Sequence, residues 1–205
     1  MSELEIVLRD YWLIACLVYF FLAVVTFIPI IRLLIIKIEL NPGGASFETA
    51  MHFSDLARKR LSDHYSRLTG TLGFWKKMAS VYKSFHYYCV IWTILSSWAV
   101  PLIGAIAPQT DKSSSKWLIV IISSHVALAM SLHRGMKVAE GMKAFRHGES
   151  EFYDLYRKLL DRPHLFGTDE TEQIESYFAE VEKIRKLIRN AETDSIPQVD
   201  SIKSS

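Results

Sequence analysis

The sequence predicts an all-α membrane protein with three transmembrane helices, of which the second and third extend as a helical hairpin into a cytosolic helical bundle. Three segments carry no Asp, Glu, Lys or Arg: Tyr11 to Ile31, His86 to Ala107 and Trp117 to Leu132. Crossing roughly 30 Å of hydrocarbon takes about 20 helical residues, and these segments have 21, 22 and 16. Charged residues make up 22% of the 205 and lie outside the segments, mostly between and after them. This segregation excludes a purely soluble protein with a single core.

Residues 1–45 are predicted to form an N-terminal transmembrane anchor and its linker. The residues before the first span are acidic, and the span is longer than the apolar region of a typical signal peptide, so we expect the anchor to be retained. The linker contains a helix break, Asn41-Pro42-Gly43-Gly44. Cys16 and Cys89 lie at different depths of the predicted spans, too far apart for a disulfide.

The distribution of Lys and Arg predicts the orientation of the spans, although the formal net charge is only +2. One of these residues precedes the first span, eight lie from Lys37 to Lys83, two lie in the loop before the third span, and twelve follow it from Arg134 to Lys203. By the positive-inside bias, the N-terminus is outside and both long segments are cytosolic. The third segment is short, but Lys116 and Arg134 can extend outward from its ends and lengthen the usable span.

Residues 46–192 are predicted to hold the second and third spans together with the cytosolic helices. Ser46 followed by Glu48 indicates a helix start. Apolar or aromatic residues then recur in steps of four and three, the seven-residue repeat of a helical seam. These residues are Leu61, Tyr65, Leu68, Leu72, Trp75, Ala79 and Tyr82. We expect this helix to run directly into the second span, and Gly70 and Gly73 either weaken it locally or allow a close helix crossing.

A second seam follows the third span and predicts that this span continues as a helix to about Leu160. Its apolar positions are Val138, Met142, Phe145, Phe152, Tyr156 and Leu159. Asp161-Arg162-Pro163 ends the helix, because proline cannot donate an interior backbone hydrogen bond. Thr168 starts a last amphipathic helix, and residues 193–205 are expected to form a disordered tail.

Polar side chains inside the predicted hairpin are candidates for lining a pore. They are Thr93, Ser96, Ser97, Ser123, Ser124 and His125. His125 lies in the middle of the third span, where an ionisable group is costly and usually faces a bundle interior or a watery path. One hypothesis is that these groups line an oligomeric pore. The alternative is a neutral histidine bonded to one of the hydroxyls on the second span, which would hold the hairpin in register.

Small residues recur at every fourth position along the third span and beyond it. After Ser123, this candidate packing or oligomer stripe contains Ala127, Ser131, Gly135 and Ala139. Such stripes allow close approach of helices in lipid, where apolar side chains give little reason to associate. Two readings stay open, namely packing of the third span against the second within one chain, and a contact between subunits of a homo-oligomer.

Basic residues near the predicted membrane surface are candidates for contacts with lipid headgroups. They are Lys76, Lys77, Lys83, Arg134 and Lys137. Attraction to anionic headgroups explains basic residues at this position. No recognised nucleic-acid-binding module accompanies them, so a nucleic-acid partner is not expected.

No catalytic constellation occurs in the sequence. It lacks a P-loop, GxGxxG, GxSxG, HExxH and CxxC. His147 with Glu151 and His52 with Asp55 have helical spacing, but two side chains do not make a metal site. We expect both to be solvated surface pairs, and we predict no enzyme activity, no metal and no cofactor.

The arrangement resembles a known family of bacterial membrane proteins. A helix with Ala57-Arg58, His64 and Trp75-Lys76-Lys77 leads into a close membrane hairpin, which is followed by Ala144-Phe145-Arg146-His147-Gly148 and then Phe152-Tyr153-Asp154-Leu155-Tyr156-Arg157-Lys158. This pattern is similar to the SLATT domains, the SMODS and SLOG-associating two-transmembrane effector domains. The N-terminal span is an addition to the two-span pattern.

The resemblance covers about residues 50 to 195 and implies a function. Proteins of that family are effectors of bacterial conflict systems, in which a soluble sensor or nucleotide-signalling partner triggers assembly of the hairpins and breach of the inner membrane. We therefore expect an oligomeric, pore-forming antiphage effector of the bacterial inner membrane. The alternative is a non-conducting membrane scaffold or sensor that docks a soluble partner through its cytosolic helices.

Overall fold

The computed structural model describes residues 11–38, 40, 46–106 and 113–194, and these residues form helices and connecting turns. The helices are α1 (Tyr11–Ile35), α2 (Asp55–Ile106), α3 (Ser113–Gly135), α4 (Val138–Asp161) and α5 (Glu170–Asp194), with short 3₁₀ turns at Phe47–Thr49 and Pro163–Leu165. No strand occurs in the described ranges, so the all-α prediction is confirmed. The acidic N-terminal segment, the break at residues 41–44 and residues 195–205 of the predicted tail lie outside the described residues. Thr193 and Asp194 are helical, so the tail prediction is wrong for these two residues.

The chain divides into two compact units. One unit contains residues 1–35 and 83–138, and its described part is called the membrane unit. The other contains residues 36–82 and 139–205, and its described part is called the helical bundle. Helix α2 contributes to both units.

The membrane unit consists of three helices that are long and apolar enough to cross a bilayer. Their large apolar side chains are mostly exposed in the chain, including Phe20 and Phe21 at 65% and Trp98 at 72%. Exposed apolar surface of this extent is unsuited to water and suited to lipid. A small internal cluster of Trp12, Leu118 and Ile122 joins α1 to α3. The prediction of three spans is therefore confirmed.

The helical bundle has a continuous apolar core built from the first half of α2 together with α4 and α5. The seam predicted on α2 is confirmed, since Leu61, Leu72 and Trp75 are all buried. Large side chains that are almost fully buried come from each of the other helices. They are Phe152, Leu159, Tyr177, Val181 and Ile188.

The entry into α2 differs from the predicted helix start at Ser46. Phe47 begins a 3₁₀ turn, and its ring packs against Tyr156 and Tyr177 at centroid distances of 4.4 and 5.9 Å. The chain before Asp55 is therefore irregular, and helix α2 begins only at Asp55. The Ser54 hydroxyl accepts a hydrogen bond from the Ala57 backbone N–H at 3.3 Å and so caps the new start.

The predicted continuity of the third span into the following helix is wrong. Helix α3 ends at Gly135, Lys137 has a φ of 44°, and α4 begins at Val138. Glycine has low helix propensity, the positive φ of Lys137 is not helical, and Val138 at the start of α4 is fully buried. The stripe of small residues is therefore interrupted, because Gly135 and Ala139 do not share one continuous helix. The end predicted for α4, before Pro163, is confirmed.

The glycines that permit close packing differ from those predicted. A Cβ on Gly70 or Gly73 would meet no atom within 4 Å, so the alternative of a close helix crossing at these two glycines is wrong. Helix α4 instead uses Gly141, where a Cβ would lie 2.5 Å from the Tyr82 ring, and Gly148, where it would lie 1.6 Å from Ile188 Cδ1. The absence of a side chain at these two positions lets neighbouring helices of the bundle approach.

Candidate functional site

The strongest polar feature of the membrane unit is a cluster around His125 that links all three of its helices. His125 Nδ1 lies 2.6 Å from the Tyr19 hydroxyl on α1, and Nε2 lies 2.8 Å from the Tyr88 hydroxyl on α2. A neutral imidazole has one donor and one acceptor nitrogen. Both nitrogens therefore have a partner, which offsets the cost of placing a polar group among apolar helices.

The hydrogen bonds of Tyr88 indicate how the protons are arranged. Its hydroxyl also lies 3.4 Å from the carbonyl oxygen of Ala23, to which it can donate. In that arrangement His125 Nε2 donates to the Tyr88 oxygen, and the Tyr19 hydroxyl donates to Nδ1. A single chain of donors and acceptors then runs from α1 through α3 to α2 and ends on α1.

Trp92 completes this group, which is called the aromatic cluster and consists of Tyr19, Tyr88, Trp92 and His125. The Trp92 ring meets Tyr19 and His125 edge-on, with centroid distances of 5.0 and 5.3 Å. Its Nε1 donates to the Thr26 hydroxyl at 3.1 Å. Edge-to-face packing and a satisfied indole N–H both favour a fixed arrangement, so the cluster holds α1, α2 and α3 in one register.

The partners of His125 correct the sequence-based alternative, which assigned it a serine or threonine of the second span. Thr93 donates instead to the Cys89 carbonyl at 2.7 Å, and Ser97 donates to the Ile94 carbonyl at 2.7 Å. Ser96 is buried, whereas Ser97, Ser123 and Ser124 are exposed. The tyrosine partners were missed because a phenol in an apolar run is not distinguishable by spacing from a packing residue.

The exposed face of α3 carries most of the predicted stripe. Ala127, Ser131 and Gly135 are exposed, while Ala139 is half-buried in the helical bundle. Contact with α2 uses a different residue, since Ala129 is buried and its carbonyl accepts from Cys89 Sγ at 3.6 Å. Packing of the stripe on the second span within the chain is therefore wrong for these three positions.

A second histidine contact in the membrane unit was not predicted. His86 Nδ1 lies 2.8 Å from His133 Nε2, which joins α2 to α3 near the charged end of both spans.

The basic residues predicted at the membrane surface have different exposures. Lys83, Arg134 and Lys137 are exposed, and Lys76 and Lys77 are half-buried in the helical bundle.

His64 is the most unusual titratable group of the helical bundle. Its ring packs on Phe178 at a centroid distance of 4.2 Å, and its Nδ1 is buried with no hydrogen-bond partner among the described residues. Burial lowers the pKa of His64, and the positive charges of Arg67 and Arg185 lower it further. The imidazole is therefore neutral over a wider pH range than a free histidine.

The pairs predicted at the surface follow two patterns. His147 Nδ1 lies 3.9 Å from Glu151 with both side chains exposed, so a solvated pair is confirmed there. His52 packs against Phe53, and Asp55 pairs with Arg58 instead.

Cys16 and Cys89 are both free thiols. Within the described ranges, no group of three or more His, Cys, Asp or Glu side chains is placed to hold a metal ion.

Comparison of the chain with family models, with curated proteins and with solved structures finds no match.

Proposed function

We propose that this chain is an oligomeric, pore-forming effector of a bacterial antiphage or conflict system, acting in the inner membrane. The observation that carries the proposal is the exposed face of α3, where small and hydroxyl-bearing side chains stand in a segment suited to lipid. The resemblance to SLATT domains supplies the biological setting.

The exposed face favours association of copies of the chain. Ser123, Ala127 and Ser131 lie one helical turn apart and are not covered by α1 or α2. Hydroxyls facing hydrocarbon lack external hydrogen-bond partners, and small side chains allow another helix to approach closely. A homo-oligomer that covers this face removes the hydroxyls from lipid and can place them along a pore.

The aromatic cluster supports a resting state in this proposal. With both nitrogens bonded to tyrosines, His125 is engaged inside the chain and is withdrawn from any conducting path. Opening then requires a shift of α3 relative to α1 and α2 that breaks these hydrogen bonds. A soluble sensor or a nucleotide-signalling protein acting on the cytosolic bundle is the proposed trigger. In this arrangement Lys83, Arg134 and Lys137 contact anionic headgroups.

A membrane-potential assay tests the proposal directly. The chain is expressed from an inducible promoter in bacteria, alone and with the proteins encoded by neighbouring genes, and depolarisation is followed with a potential-sensitive dye. Ala127→Leu places a bulky side chain on the stripe and is expected to reduce depolarisation. Leu128→Ile changes an exposed residue beside the stripe and serves as the matched control. Unchanged potential under all conditions, or equal depolarisation by Ala127→Leu and the wild type, would contradict the proposal.

A non-conducting scaffold is the second candidate function, and exposed apolar residues of the helical bundle favour it. Met51, Leu56 and Leu165 are exposed at 94%, 80% and 61%, and a docked partner that covered them would remove apolar surface from water. Recovery of one stoichiometric soluble partner from cells whose membrane potential stays intact would support this function over the effector.

A further inference from the structure

A cleft of about 370 Å³ lies between α2 and α5 in the helical bundle. Helix α2 lines one side and α5 lines the other. The lining residues are Gly70, Thr71, Phe74, Trp75, Arg185, Ile188, Arg189 and Glu192. The volume falls at the lower end of the range for small-molecule sites, which is about 300–1,000 Å³.

The α5 side of the cleft is positively charged. Arg185 and Arg189 are four residues apart on one helix, so both guanidinium groups face the same side. Arg185 Nη1 donates to Glu182 at 3.2 Å, which leaves further N–H donors of this side chain available. Arg189 is exposed and forms no ion pair with a residue that the structure describes. Glu192 supplies one negative charge, so the lining carries a net charge of one positive.

The α2 side of the cleft combines a gap with an aromatic surface. A Cβ on Gly70 would meet nothing within 4 Å, so the missing side chain leaves space beside the helix. Phe74 is 42% exposed although it packs edge-on against Phe145. Trp75 and Ile188 are buried and form the apolar base. A glycine in the middle of a helix lowers the stability of that helix, and Gly70 keeps the cleft open at this cost.

We propose that this cleft binds a small phosphate-bearing ligand that also carries a planar or apolar group. The phosphate contacts Arg185 and Arg189, because guanidinium groups donate paired hydrogen bonds to phosphate oxygens. The planar or apolar group lies against Phe74 in the space beside Gly70. The test of this site does not depend on the permeabilising role, since binding is measured on the purified chain without a membrane potential.

Binding is tested by titration calorimetry on the full chain in a mild non-ionic detergent. AMP and adenosine form a pair that differs only in the phosphate, and dihexanoylphosphatidylglycerol represents a lipid source of the same chemistry. We expect adenosine to bind at least about tenfold more weakly than AMP, because charged hydrogen bonds are lost. Tighter binding of the lipid than of AMP would identify a headgroup as the ligand, and the reverse would identify a soluble phosphate.

Variants locate the bound ligand. Replacing both arginines, with Arg185→Gln and Arg189→Gln, is expected to weaken binding at least about tenfold, whereas Arg157→Gln on α4 is the control and leaves it unchanged. Gly70→Leu fills the cleft and removes a helical glycine, so it is expected to abolish binding while keeping the thermal stability at or above that of the wild type. Absence of binding by AMP and by the lipid, equal binding of adenosine and AMP, or wild-type affinity in both variants would overturn the proposal.

Discussion

Replacing Gly148 by alanine should leave the helical bundle less stable than the same change at Gly70, which should stabilise it. At Gly148 the new Cβ would lie 1.6 Å from Ile188 Cδ1, 2.8 Å from Ile188 Cγ1 and 3.6 Å from Trp75 Cε3. At Gly70 it would enter open space. Both substitutions remove a glycine from a helix, which favours folding by about 1 kcal/mol. The difference between the two variants therefore isolates the steric cost at Gly148.

The size of that difference follows from the packing. Inserting a methyl group into a packed core typically costs about 1–3 kcal/mol. Gly148→Ala is thus expected to be about 1–3 kcal/mol less stable than Gly70→Ala, which corresponds to several degrees in melting temperature. Ile188→Val removes the Cδ1 atom and should recover part of the loss in the double variant.

Thermal unfolding in detergent and hydrogen exchange over α4 and α5 measure the effect. Hydrogen exchange reports local opening, so it distinguishes opening of the helical bundle from opening of the membrane unit. Equal stability of the two alanine variants, or no recovery in the double variant, would refute the close approach of Gly148 to Ile188.

Two further predictions concern the histidines. Tyr88→Phe removes one hydrogen-bond partner of His125 and should lower the unfolding free energy of the membrane unit by about 0.5–1.5 kcal/mol in mixed micelles. Tyr87→Phe changes an exposed ring and should have no effect. Equal unfolding free energies for the two variants would contradict the hydrogen bond between Tyr88 and His125. Burial and two neighbouring arginines lower the pKa of His64, so the unfolded chain binds more protons, and bundle stability should fall as pH drops from about 6.5 toward the lowered pKa. His64→Gln should flatten the pH dependence of stability in that window, and an unchanged slope would exclude His64 as its source.

The spans and the helical seam were predictable because each depends on a pattern within one stretch of chain. A charge-free run of about 20 residues suits lipid wherever it lies in the sequence. The repeat from Leu61 to Tyr82 predicts one apolar face, and that face packs in the bundle core. Proline at residue 163 ends α4 for a local steric reason.

The features missed by sequence reasoning depend on contacts between distant residues. Tyr19 is 106 residues from His125, and nothing in its neighbourhood separates it from an ordinary packing residue. The break after Gly135 places Val138 in a buried position, while the 4/3 pattern continues across it. The delayed start of α2 depends on Phe47 packing between tyrosines of α4 and α5. Each is a tertiary preference that overrides a local pattern.

Labelling of single cysteines by a membrane-impermeant maleimide tests most directly that the apolar parts of α1 and α2 lie in lipid. In a Cys16→Ala, Cys89→Ala background, cysteine is placed at Phe20, Ile94 or Met51, which are all exposed in the chain at 65%, 54% and 94%. We expect rapid labelling of Met51→Cys in opened membranes and protection of Phe20→Cys and Ile94→Cys until detergent is added. Equal labelling of all three without detergent would contradict it.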